Sequence, residues 1–198
     1  MKINFENIEQ LFLNIAETKQ YKLLVKKTKK AKKIFLLGNG GLHFVANHMS
    51  TDLTRLIEDK VAYSFDSAGF ITSNANDHGF ENLFVRWLDV TATCETSNEC
   101  LIIGLSCSGN SSNVINALHW GRDNGYETFM ISGQKSEILD DSIEELYYGC
   151  QYFHTAEVLC MMIFYDLIYK TGNHCPSIKG EKNRLKDSPL RGKEQKCS

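Results

Sequence analysis

Apolar residues at the start of the chain recur at helical spacing. Ile3, Ile8, Leu11, Phe12 and Ile15 predict one or two amphipathic helices across residues 3–28. The period then changes. Lys33-Ile-Phe-Leu-Leu37 is an unbroken apolar run of strand length, closed by the turn Gly38-Asn-Gly-Gly41, and a helix is expected over 42–57. Val61-Ala-Tyr-Ser-Phe65 predicts a second strand, followed by a loop and a helix across 70–92. A third strand is expected over 100–105 with its helix at 111–124, then a fourth over 128–131. Residues 145–148 predict a short fifth strand, and 153–170 a long helix. Buried strands alternating with helices indicate an α/β fold, a three-layer sandwich with a mostly parallel sheet flanked by helices.

Composition narrows the class. The 198 residues suffice for one such unit over 1–171, with no linker dividing it. Gly172–Ser198 differs: it carries both prolines, seven basic residues against three acidic ones and little apolar content, and reads as a mobile basic tail. A net charge of −2 argues against a dedicated nucleic-acid binder, and the seven lysines from Lys22 to Lys33 fit a solvated helix face. No apolar run is long enough to span a bilayer, and no signal peptide opens the chain, so a cytoplasmic location is expected. The seven cysteines are odd in number and show no C-x-x-C spacing. Reduced thiols are expected, with Cys100 and Cys160 as small buried hydrophobes.

Two turns carry the candidate chemistry. Ser106-Cys-Ser-Gly-Asn-Ser-Ser-Asn113 joins the third strand to its helix. A small, hydroxyl-dense loop that opens a helix offers unpaired N–H groups, a positive dipole end and serine hydroxyls, which suits a phosphate. Without the lysine of a Walker loop, it fits a phosphomonoester better than a nucleoside triphosphate. The plain alternative is a Ser-rich N-cap turn. Gly38-x-Gly40-x-x-His43, with Asp66 further on, partly matches a dinucleotide fingerprint, but its third glycine is replaced by His. Both turns follow parallel strands and therefore share the carboxyl edge of the sheet, where open α/β folds bind ligands.

Taken together, Gly38-Asn-Gly-Gly41, Ala75-Asn-Asp-His-Gly-Phe80, Ser106-Cys-Ser-Gly-Asn-Ser-Ser-Asn-Val114 and Asp166-Leu-Ile168 resemble the sugar isomerase (SIS) domain. Within it they resemble the phosphoheptose isomerases, across roughly residues 5–170. The resemblance implies a flavodoxin-like SIS fold, a sugar-phosphate ligand and a homo-oligomer, expected as a tetramer. It also implies interconversion of sedoheptulose 7-phosphate and a heptose 7-phosphate, or of a related sugar phosphate, through an ene-diol. Substrate and phosphate contacts are then expected from Asn39, Gly40, Gly41, Asp77, Ser106, Cys107, Ser108, Asn110 and Ser111.

The resemblance breaks at the positions that carry the chemistry. Asp52 stands at the family's catalytic Glu, and Met162 at its catalytic His, where no proton can be carried. Leu42 replaces a phosphate-contacting Ser. Asp52 remains the expected base, and the second acid–base role falls to His154 or Glu157. His48, Asp52 and His154 form the candidate zinc set, since some family members bind zinc there, and two imidazoles with a carboxylate suit that ion. The alternative is that these residues line a phosphosugar cleft without metal. The leading function is an aldose–ketose isomerase. The alternative is a non-catalytic phosphosugar-binding or regulatory SIS module.

Overall fold

The computed structural model describes residues 6–92 and 99–178. In chain order these form α1 (Ile8–Ala16), α2 (Lys19–Lys30), β1 (Lys33–Gly38), α3 (Gly41–Leu56), β2 (Val61–Ser64), α4 (Ala68–His78) and α5 (Leu83–Thr91). Then come β3 (Cys100–Ser106), α6 (Ser112–Asp123), β4 (Glu127–Ser132), β5 (Glu145–Tyr147) and α7 (Phe153–Lys170). The expected tail, except for Gly172–Ile178, lies outside the described residues.

Strand chemistry explains the layers. Every position of β3 is buried, and those of β1 and β4 nearly all are. Side chains along a strand point alternately to opposite faces. Ile34 and Leu36 of β1, with Leu101, Ile103 and Leu105 of β3, accordingly enter one core with α1, α2, α3 and α7. Phe35, Leu37 and Ile102 enter the other with α5 and α6. At Gly104 a Cβ would lie 2.6 Å from a Val114 methyl and 2.9 Å from one of Leu118, so this glycine lets α6 sit close against β3.

The strand order is β2-β1-β3-β4-β5, with every pairing parallel. The chain moves outward from β1 to β2, then crosses back to place β3 on the other side of β1. The loops after β1 and β3 therefore diverge above the sheet and leave a crevice, the place where this strand order binds ligands.

Two sequence expectations change. The single helix over 70–92 is two helices, α4 and α5, joined by a 3₁₀ turn at Phe80–Asn82. Gly79, with φ of +81°, ends the first and redirects the chain. Cys100 is buried as expected but is disulfide-bonded rather than a free thiol. Burial is common to both sulfur states, so apolar context could not separate them. Cys107, Cys150, Cys160 and Cys175 are free.

Candidate functional site

The crevice between the β1 and β3 loops holds a cavity of about 220 Å³. Asn39, Gly40 and Gly41 form one wall, Ser106, Cys107, Ser108 and Ser111 another, and Phe153 and Glu157 of α7 a third. Two helices begin here. α3 starts after Gly40, whose backbone (φ 55°, ψ −127°) is one that only glycine adopts readily. α6 starts after Ser111, which does not cap its own helix; its hydroxyl instead lies 2.9 Å from that of Ser106. Neither helix has a side-chain cap, so two positive helix ends and their N–H groups meet at one cavity.

The two loops are locked together. The Asn39 and Asn113 amides donate to each other reciprocally, both at 2.9 Å, and Asn113 also accepts from the N–H of Val114. Gly109 allows the turn itself. Its φ is +75°, and a Cβ there would lie 2.6 Å from the carbonyl oxygen of Gln134.

Most residues expected to bind phosphate line this cavity, but two do not. Asn110 turns its carbonyl away to accept from the Ser136 hydroxyl and the Glu137 N–H, so it anchors the loop to the segment after β4. Asp77 is exposed on α4, accepts from Asn76, and takes no part in the cavity wall. Glu157, expected as an acid–base group, sits against Gly41, where an added Cβ would fall 2.1 Å from its carboxylate. Burial, followed by the charge of Glu157, pushes the Cys107 thiol up to about 11.

Asp52 and His48 lie elsewhere, on the same face of α3 as Gly41. The spacing i, i+7, i+11 makes one stripe and places them roughly 10 and 16 Å along the axis. The Asp52 carboxylate is almost fully buried, 2.8 Å from the Arg55 guanidinium and 3.5 Å from the His48 ring. Nε2 of His48 is also 2.9 Å from the Tyr165 hydroxyl of α7. Helices α3 and α7 run side by side in the same direction, with Gly41 beside Glu157 at one end and His48 beside Tyr165 two turns on. His154 does not join this cluster: it stacks on Tyr152, with ring centroids 5.4 Å apart.

Within one chain, therefore, the candidate zinc set does not fit the ion. Its carboxylate is held by Arg55, its second imidazole lies turns away, and among the described residues no three metal-ligating side chains converge. Nor is either expected acid–base partner beside Asp52, because Glu157 is about 12 Å along α7 from the Tyr165 position. Sequence reasoning overlooked Asn113 and Tyr165. Asn113 stands inside the Ser-rich block and had a signal; Tyr165, in an apolar helix, had none.

No family model matches the sequence. A phosphoheptose isomerase of Aliarcobacter butzleri is 36% identical over 122 residues, covering 59% of this chain and 62% of that protein. One from Syntrophotalea carbinolica is 30% identical over 148 residues, covering 70% and 73%. The matched stretch spans less than two thirds of the first of these relatives. A solved structure of phosphoheptose isomerase from Neisseria gonorrhoeae superposes with a TM-score of 0.70 at 19% identity, covering 83% of this chain and 91% of that one.

Proposed function

Because the chain belongs to the phosphoheptose isomerase family, we propose that it is an aldose–ketose isomerase acting on sedoheptulose 7-phosphate or a related sugar phosphate. One observation carries the reading. Along a single face of α3, a cavity at Gly41 lined by two helix N-termini and three serines is followed by an imidazole–carboxylate pair at His48 and Asp52. With carbon–carbon bonds of about 1.5 Å, an open seven-carbon chain and its phosphate ester reach roughly 10 Å, the order of the distance to His48. The phosphate is held by the α3 and α6 ends and by Ser106, Ser108 and Ser111. The sugar runs along the α3–α7 seam, and Asp52 takes the proton from the carbon beside the carbonyl. Zinc is left out of this reading. The protein works as a homotetramer, in keeping with exposed Leu13, Phe44, Phe153 and Val158. Four described cysteines are free beside the disulfide-bonded Cys100, and no helix among the described residues is long and apolar enough to cross a membrane.

The test is proton exchange in heavy water with sedoheptulose 7-phosphate. The wild-type protein is expected to incorporate deuterium. Asp52→Asn should stop incorporation while calorimetry shows affinity within about twofold, because a transition-state role need not alter ground-state binding. A second reading, a phosphosugar-binding module without turnover, has its own observation: Met162 carries no proton, and Asp52 is tied to Arg55. Tight binding with no exchange would establish it instead.

A further inference from the structure

Resting on the isomerase reading, we propose that the Tyr165 hydroxyl serves as the acid–base group for the substrate oxygens, the role that Met162 cannot fill. Tyr165 follows Met162 by three residues on α7, so the two are neighbours on the helix surface. Its hydroxyl is 2.9 Å from Nε2 of His48, which in turn lies 3.5 Å from the Asp52 carboxylate. Three groups able to carry or direct a proton thus meet at the end of the seam that begins at the phosphate cavity. Arg55 binds the other oxygen of Asp52, so the carboxylate is fixed in place beside the imidazole. Cys175, from the segment after α7 and hydrogen-bonded to Tyr169, also lies near Asp52 and Arg55. Burial and then the charge of Asp52 raise the Tyr165 pKa, so the hydroxyl rests in its protonated form.

The proton balance closes without a co-reactant. Asp52 takes the proton from the hydroxyl-bearing carbon next to the ketone, and Tyr165 gives its proton to the ketone oxygen, which leaves an ene-diol. The phenolate, stabilised by the imidazole of His48, then removes the proton from the neighbouring hydroxyl. Asp52 returns its proton to the former ketone carbon. The carbonyl has moved by one carbon, and both side chains end as they began.

Tyr165→Phe separates this role from a structural one. Carbon-bound proton exchange needs Asp52 and one donation from Tyr165 to the ketone oxygen, whereas net isomerisation also needs Tyr165 to take a proton from the neighbouring hydroxyl. With sedoheptulose 7-phosphate in heavy water, the variant is expected to lose isomerisation by about 100-fold or more, the usual worth of a general acid–base group. Exchange should also fall, but less, because only one of the two Tyr165 proton transfers lies on its path, so the ratio of exchange to isomerisation rises, with KM nearly unchanged. His48→Gln should raise the same ratio more modestly and serves as a second variant if Tyr165→Phe does not fold. A parallel fall of exchange and isomerisation, or no change in either, overturns the assignment while leaving the isomerase reading intact. Wild-type protein that binds the sugar phosphate but catalyses neither reaction overturns both.

Discussion

Glu157 puts a negative charge on the wall of a cavity whose helix ends and hydroxyls favour an anion. The two kinds of residue should respond with opposite signs. Replacing Ser108 and Ser111 together by Ala removes hydrogen bonds to a charged ligand and should weaken sugar-phosphate binding by about 1–3 kcal/mol in calorimetry. Glu157→Gln removes a like charge a few ångströms away and should tighten it by on the order of 1 kcal/mol. Unchanged affinity in both variants would place the phosphate elsewhere. Cys107 reports on the same wall. With its thiol pushed up to about 11, the reactive thiolate is scarce near neutrality. Its alkylation by iodoacetamide, followed by mass spectrometry, should be slow near pH 7 and should climb by about tenfold per pH unit until it levels off near pH 11. Rapid labelling at neutral pH would contradict the burial and the Glu157 contact from which this follows.

Helix packing decides where the functional groups stand. α7 is gripped from the other side by α2, where the buried Tyr21 hydroxyl donates to the carboxylate of Asp166. Burial and that carboxylate keep the phenol protonated well above its ordinary range. Asp166 is the immediate neighbour of Tyr165, so this bond helps set the rotation of α7 about its axis. Tyr21→Phe leaves the carboxylate without its donor and should cost about 1–3 kcal/mol in chemical denaturation. A variant with wild-type stability would remove this pair from the account of how α7 is held. The hydrophobic pattern predicted α2 and α7 as helices but gave no sign of the bond, because its partners are 145 residues apart.

At the scale of the whole molecule, several large apolar side chains stand exposed on α3 and α7. Phe44 on α3 and Phe153 on α7 are each 73% exposed, and Val158 is open on the same helix as Phe153. Burying such groups between copies is the expected remedy. Light scattering at micromolar concentration should therefore give about four times the 22.5 kDa chain mass; a monomeric particle would end the tetramer reading. The alternation of strand and helix, the parallel sheet and the serine-rich turn that opens α6 were legible in the sequence, because strand burial and helix starts follow from residues adjacent in the chain. Gly38–Gly41 and Ser106–Ser111 were read correctly as one edge of the sheet for that reason. The split at Gly79 was missed because a glycine's positive φ leaves no mark on hydrophobic periodicity. Ser106, Ser108 and Ser111 were local chemistry, whereas Asn110 and Glu157 took their orientation from the segment after β4 and from Gly41. Tertiary structure alone decided that His48 and Asp52 meet Tyr165 rather than His154. The turn count along two parallel helices fixes which side chains face across their seam, and no single stretch of sequence contains both helices.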